Sequence, residues 1–168
     1  MRRFRLAVTI VVLAALNTVV MVYADGLPGA IITYERAVMS ITLDHSAERL
    51  ASLRSESIRE AAADSAAATA YRYAQIALLD GIRAAGLDQN RTAEESFEQA
   101  VAYAQEAIDA APNSEHFRVQ ADAYMQLLRV KPMPYRIANA GRARSVADQA
   151  VELDRSNPRA LIAAASYY

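Results

Sequence analysis

The chain has 168 residues, of which 54% are hydrophobic and 37 are alanine, with no cysteine, no tryptophan and two histidines. These counts exclude disulfides, cysteine-based zinc sites and a three-histidine metal site within one subunit. Five glycines and five prolines are too few for the many turns of an all-β fold, whereas alanine is the strongest helix former. A net charge of −1 argues against a general nucleic-acid-binding protein.

The first 24 residues have the layout of a secretory signal. Three arginines among the first five residues precede an apolar run over 6–23, and Ala24 ends a motif suited to signal peptidase. We therefore predict a signal peptide at 1–24, a mature domain at 25–168, and a periplasmic or otherwise extracytoplasmic location. Because the apolar run is just long enough to span a bilayer, an uncleaved membrane anchor is the alternative.

Cleavage of the signal would also change the charge of the protein. It would remove three arginines and leave 15 basic against 19 acidic side chains. A mildly acidic domain has no overall attraction for DNA or anionic lipid, so we expect no nucleic-acid partner. Membrane contact is expected only through the N-terminal segment, if that segment is uncleaved.

Apolar residues recur at spacings of three and four after the signal, which predicts a run of helices and essentially no strand. The predicted helices cover about residues 30–43, 46–62, 65–85, 92–111, 115–130, 135–153 and 158 onwards. Their predicted caps are Asp44 or Ser46, Asp64 or Ser65, Thr92 in a capping box with Glu95, Ser114, and Asn157 before Pro158. Gly86 is expected to be a left-handed C-cap, with Leu87 as its apolar contact.

Each predicted helix carries one stripe that we expect to face the core. The expected inward residues are Leu50, Leu53 and Ile58; Ala67, Tyr71, Ala74, Leu78 and Ile82; Phe97, Ala100, Ala104, Ala107 and Ile108; Phe117, Ala121, Tyr124 and Leu128; and Ile137, Ala140, Ala143, Ala147 and Ala150. The tyrosines are expected mainly to pack in the core, with a hydroxyl reaching a polar partner. Three of them fall at equivalent repeat positions, Tyr73, Tyr124 and Tyr168.

Two stretches of the chain, residues 107–114 and 150–157, are similar at an offset of 43 residues. Each ends a helix with an inner ladder of alanines, and each leads into another helix. One helical hairpin cannot bury its apolar face alone, so repeated hairpins are expected to stack into a solenoid. The matching ladders are Ala100, Ala104 and Ala107, and Ala143, Ala147 and Ala150.

Residues 149–160 resemble the junction between consecutive tetratricopeptide repeats. The family's pattern of two large residues, a small one and an aromatic continues at Leu161, Ala164, Ala165 and Tyr168. The chain departs from the family in its repeat length, which is usually 34, and in Arg155, which stands where proline is usual. The resemblance over 93–168 implies an all-α fold of stacked antiparallel helical hairpins, a TPR-like α-solenoid. A plain helical bundle is the alternative.

In tetratricopeptide-repeat proteins the first helix of each hairpin lines a concave groove. The resemblance therefore implies a partner-binding groove here. Its arginine, tyrosine and amide groups suit a protein or peptide partner, since arginine pairs bidentately with carboxylates. An ordinary solvated face is the alternative. For Tyr71 two interpretations stay open, because the helical period places it on the inward stripe whereas the repeat alignment turns it toward the groove. The groove residues would be Tyr71, Gln75, Arg118, Asp122, Gln126, Arg159 and Ser166.

No pattern of catalytic chemistry emerges from the sequence. His45 with Glu48, and His116 with Glu115, lack the Glu-x-x-His order of di-iron bundles and are interpreted as solvated cap regions. The chain contains no glycine-rich phosphate loop and no nucleophile elbow. We therefore expect no enzyme activity, no catalytic residues, no cofactor and no metal.

These features together favour an exported protein-binding adaptor or scaffold that acts outside the cytoplasm. The alternatives are a small-ligand-binding helical accessory subunit of an extracytoplasmic transport system, and a structural homo-oligomer. The apolar C-terminal helix, residues 158–168, has no second helix to pair with, although the end of a solenoid normally carries a polar cap. We therefore expect that a second copy of the chain packs on this helix, that a partner protein covers it, or that the chain is part of a longer repeat protein.

Overall fold

The computed structural model describes residues 47–61 and 65–168. The expected signal segment at 1–24, the predicted helix at 30–43, and His45 lie outside these residues. The described chain forms six helices and no strand. They are α1 (Ala47–Ala61), α2 (Ala66–Gly86), α3 (Asn90–Ala110), α4 (Ser114–Val130), α5 (Met133–Leu153) and α6 (Pro158–Ala165).

From α2 onwards, connections of only two to four residues join the helices, so consecutive helices run antiparallel as hairpins. Helix α2 packs most extensively on α3 and also touches α4, while α4 packs on α3 and α5 and touches α6. The helices α2, α4 and α6 therefore lie in a row, and α3 and α5 complete the hairpins that α2 and α4 begin. This arrangement confirms the predicted all-α fold of packed antiparallel helical hairpins.

The core of the hairpin stack is built largely from alanine. Both predicted ladders are fully buried, and Phe97, Leu79, Val119 and Leu127 are the largest side chains enclosed with them. Small side chains allow neighbouring helices to pack closely, which explains why so much alanine is needed. Helix α4 also buries residues off its predicted stripe, because helices contact it from several sides. The additional apolar residues are Val119, Ala123 and Leu127, and the additional polar ones are Ser114, His116, Arg118 and Gln120.

Four residues expected to face the core are exposed instead. Ile137 and Ala140 lie in the first half of α5, beyond the short helix α6. Ile58 lies on α1, which packs mainly on α2 and leaves its other faces open. Tyr168 follows α6 and is 78% exposed, whereas its expected equivalent, Tyr124, is buried. At these four positions exposure therefore follows the lengths and neighbours of the helices and not the apolar pattern.

Two of the predicted helix caps are confirmed. The Ser65 hydroxyl accepts the Ala68 amide at 3.3 Å and starts α2. The Asn157 side-chain oxygen accepts the amides of Arg159 and Ala160 at 3.0 and 3.2 Å and starts α6.

Other predicted caps were wrong. Helix α3 begins at Asn90, so Thr92 already lies within its first turn and no side chain caps the helix. Helix α4 is capped by Asn113, whose side chain accepts the His116 amide at 3.0 Å, and Ser114 is its first helical residue.

The predicted left-handed C-cap at Gly86 was also wrong. Helix α2 runs through Gly86, and the left-handed residue is Asp88, with a φ of 59°. An aspartate tolerates this conformation better than most side chains do. Leu87, expected to make an apolar contact here, is exposed.

Candidate functional site

Residues from three helices converge on Glu115, in the first turn of α4. Its Oε2 accepts hydrogen bonds from Arg118 Nε at 3.0 Å, from Arg159 Nη1 at 3.1 Å and from the Tyr71 hydroxyl at 3.2 Å. Its Oε1 accepts the Asn157 amide at 2.7 Å. One carboxylate therefore joins α2, α4 and the start of α6.

Two further side chains extend this arrangement along the helices. Gln75, one turn after Tyr71 on α2, donates to the Tyr71 hydroxyl at 2.7 Å. Arg118 Nη1 donates to Asp122 Oδ2 at 2.5 Å, one turn further along α4. We call the whole set the Glu115 cluster: Tyr71, Gln75, Glu115, Arg118, Asp122, Asn157 and Arg159.

Burial and charge act in opposite directions on the two carboxyl groups of the cluster. Burial tends to raise the pKa of Glu115, but the neighbouring Arg118 and Arg159 outweigh it and hold that pKa below its ordinary value. For Asp122 burial prevails over the same two arginines and raises the pKa. Burial likewise raises the pKa of the Tyr71 hydroxyl. The cluster thus joins two guanidinium groups to two carboxyl groups held in different electrostatic environments.

The cluster contains five of the seven residues expected in the groove. Arg118 is nearly enclosed, with a side chain 7% exposed, whereas Arg159 and Asp122 are each about one-third exposed. Ser166 lies apart, with its hydroxyl donating to the Ile162 carbonyl at 2.9 Å. Gln126 is half-buried on α4 and makes no hydrogen bond that joins it to the cluster. The five clustered residues are Tyr71, Gln75, Arg118, Asp122 and Arg159.

Sequence reasoning missed Glu115 and Asn157 as members of the site. From the sequence, Glu115 is interpreted only as part of a solvated cap region with His116, and Asn157 only as a helix cap. Glu115 lies three residues before Arg118, and this spacing was a usable signal, because residues i and i+3 are neighbours on a helix. Nothing local in the sequence indicated that Asn157 would reach Glu115.

His116 is buried, so its interpretation as part of a solvated cap region was wrong. Its ring centre lies 5.1 Å from that of Tyr71, and its Nδ1 lies 2.9 Å from the Ala111 carbonyl oxygen. The start of α4 rests against α2 here, which encloses the imidazole. His116 is therefore a packing residue at the edge of the cluster.

An open depression of about 520 Å³ adjoins the cluster where α4 and α6 begin. Its lining combines the polar residues Tyr71, Asn113, Glu115, Asp154 and Asn157 with the apolar Pro112 and Leu153. A depression of this shape, open to solvent, has room for a side chain or a short stretch of peptide.

Within residues 47–61 and 65–168, no three histidine, aspartate or glutamate side chains are grouped to hold a metal ion. None of the helices formed by these same residues is both long and apolar enough to cross a membrane. Comparisons of the chain with protein-family models, curated proteins and solved structures found no match. The resemblance to tetratricopeptide repeats therefore stays a prediction from the residues.

Proposed function

We propose that this chain is a protein-binding adaptor that acts outside the cytoplasm and holds a segment of its partner against α2, α4 and α6. The Glu115 cluster is the observation that carries this proposal. It holds Tyr71, Asp122 and Arg159, one from each of the three helices, through hydrogen bonds to Glu115 and Arg118. Side chains ordered before binding lose less conformational entropy when a partner arrives.

Within this proposal the two arginines have different roles. Arg118 is nearly enclosed between Glu115 and Asp122, so it positions its neighbours and does not contact the partner. Arg159 is partly exposed beside Tyr71, and arginine and tyrosine are the residue types enriched at interface hot spots. Arg159 offers donors and Asp122 an acceptor, which suits a partner segment that presents both a carboxylate and hydrogen-bond donors.

Affinity capture with the intact chain tests this proposal. An extracytoplasmic extract is passed over the immobilised protein and its Arg159→Gln and Asp122→Asn variants, with Arg91→Gln as the matched control. Arg91 is 94% exposed on α3, where its partner among the described residues is a neighbouring surface carboxylate, Glu95. We expect one partner to be lost from both cluster variants and retained by the control. Retention of every captured protein by both cluster variants would overturn the proposed groove.

Export is the second component of the proposal, and it rests on the layout of residues 1–24. N-terminal sequencing of the protein recovered from the extracytoplasmic fraction tests it, with Asp25 as the expected first residue. Recovery of the chain only inside the cytoplasm, with Met1 retained, would contradict it.

A structural homo-oligomer is a second candidate function, because α6 exposes Leu161 and Ile162 to solvent. Sedimentation of the intact chain over a wide concentration range distinguishes the two. A stable oligomer that Ile162→Glu disperses would favour the structural role, whereas a monomer at all concentrations would favour the adaptor. The small-ligand alternative has less support, because the depression beside the Glu115 cluster and the one between α5 and α6 are both open to solvent.

A further inference from the structure

The first half of α5 has a bare face on which no described helix lies. Met133, Ile137 and Ala140 recur at spacings of four and three, so they share one side of the helix, with Arg136 beside them. Met133 is 57% exposed and Ile137 is 75% exposed. At Gly141, also on this side, an added side chain would meet nothing within 4 Å. We call this surface the α5 face: Met133, Arg136, Ile137, Ala140 and Gly141.

The α5 face continues an interface that the protein already uses. With 21 residues α5 is about 31 Å long, whereas the 8 residues of α6 extend about 12 Å. Helix α6 therefore covers only the second half of α5, and just after α6 ends the Tyr168 ring lies 4.0 Å from the Arg144 guanidinium. A second helix placed on the α5 face would extend that contact along the rest of α5.

The stretch of sequence that carries the α5 face contains basic residues and no acidic ones. No aspartate or glutamate occurs between Asp122 and Asp148, although the chain as a whole is slightly acidic. Arg136 is exposed and has no ion-pair partner among the residues that the structure describes. The cations in this interval are Arg129, Lys131, Arg136, Arg142 and Arg144.

The protein itself shows how a helix pairs with a cation at this corner. Lys131, between α4 and α5, donates to Glu94 Oε1 at 2.5 Å and to Glu98 Oε1 at 2.6 Å. These two glutamates lie one turn apart on α3, whose inner side is an alanine ladder. A helix with acidic residues one turn apart, beside small side chains, therefore complements a basic surface such as the α5 face.

We propose that the α5 face is a second docking surface, which binds an acidic amphipathic helix of a partner protein. Ile137 and Met133 supply the apolar contact, while Ala140 and Gly141 allow close approach of the partner helix. Arg136, which has no ion-pair partner among the described residues, selects a carboxylate on the flank of the partner helix. This proposal is independent of the groove at the Glu115 cluster, since the two surfaces share no residue.

A peptide of residues 90–110, labelled for fluorescence anisotropy, is a suitable probe because it is an acidic helix with an alanine ladder. It is titrated with the intact chain, and a second peptide carries glutamine at its four glutamate positions. We expect the acidic peptide to bind at least tenfold more tightly than the neutral one, and its affinity to fall with added salt. The double variant Arg136→Glu with Ile137→Glu should weaken binding at least tenfold. Ile58→Glu, at an exposed apolar residue of α1, should leave binding unchanged.

Several results would overturn the proposal. The first is equal binding of the two peptides. The second is unchanged binding by the double variant, provided that the circular dichroism and melting temperature of this variant match those of the parent. A dimer in sedimentation that Ile137→Glu disperses would assign the face to a second copy. Binding to anionic phospholipid vesicles, lost in the double variant, would assign it to a membrane surface.

Discussion

The ring of Phe97 occupies the space where any side chain at Gly81 would lie. A Cβ atom placed at Gly81 would overlap with Phe97 Cε1. Phe97 is fully buried at the packing of α3 on α2. Glycine in a helix interior lowers helix stability by about 1 kcal/mol relative to alanine. Here the close packing of the Phe97 ring against Gly81 offsets that loss.

We expect Gly81→Ala to lower the free energy of unfolding by about 1–3 kcal/mol, because the added methyl group displaces the Phe97 ring. Gly141→Ala is the matched control, since Gly141 is also within a helix but has open space around it. The control should be as stable as the parent, or more stable by up to about 1 kcal/mol. Urea unfolding followed by circular dichroism measures both. A Gly81→Ala variant as stable as the parent would contradict the packing described.

Glu115→Gln tests the centre of the cluster. The substitution removes the charge that accepts hydrogen bonds from Arg118 and Arg159, and Arg118 is nearly enclosed. We expect a loss of about 1.5–3 kcal/mol, the usual range for hydrogen bonds to charged groups. Glu95→Gln is the control, because Glu95 pairs with the exposed Arg91 and should change stability by less than about 1 kcal/mol. Equal losses in the two variants would show that the cluster contributes no more than a surface pair.

The stability difference between the parent and Glu115→Gln should depend on pH. Burial tends to raise the pKa of Glu115, but Arg118 and Arg159 lower it by more than burial raises it. The folded pKa therefore lies below the ordinary 4.5. The stabilisation is therefore present above pH 4.5 and is lost as the pH falls through the lowered pKa. Unfolding titrations between about pH 7 and pH 3 should show the difference closing only at the acid end.

Asp122→Asn should show the opposite trend, because burial raises the pKa of Asp122. The folded state binds the Asp122 proton more tightly than the unfolded state does. The stabilisation from this proton is therefore greatest below the ordinary pKa of 3.8 and is lost as the pH rises through the folded pKa. Relative to the parent, the asparagine variant should therefore gain stability with rising pH. Parallel pH profiles for the glutamine and asparagine variants would contradict the different environments of the two carboxyl groups.

Asn157→Ala should destabilise the start of α6. Its side chain accepts two backbone amides and donates to Glu115, so we expect a loss of about 1–2 kcal/mol. Thr92→Ala is the counterpart, since Thr92 lies inside α3 and caps nothing. It should change stability by less than about 0.5 kcal/mol. A large loss at Thr92 would restore the capping box that the sequence predicted.

Two adjacent tyrosines after α6 should respond differently to removal of the hydroxyl. The Tyr167 hydroxyl donates to the Ala121 carbonyl of α4 at 2.6 Å, and burial raises its pKa. Tyr167→Phe should therefore cost about 0.5–1.5 kcal/mol. Tyr168 is exposed, so Tyr168→Phe should be neutral in the same urea titration. Equal losses of stability in the two variants would mean that the Tyr167 hydrogen bond does not stabilise the packing of the C-terminal segment on α4.

The helices after residue 46 were predictable because their signals are local. Proline and capping residues mark the breaks, and both alanine ladders follow the helical period. The Glu115 cluster was only partly predictable. Its bonds from Tyr71 and from Arg159 to Glu115 each join residues 44 positions apart, across helices whose relative rotation no local pattern specifies.

By itself the sequence determined that this protein is a stack of helical hairpins, since alanine content, helical period and breaker positions act within a few residues. Only the tertiary structure decided which faces stay exposed and which polar groups meet. Ile137 has the same apolar character as the buried Ile108, yet it lies bare because α6 is short. Burial is a property of the neighbours that a side chain acquires on folding, and those neighbours lie far away along the chain.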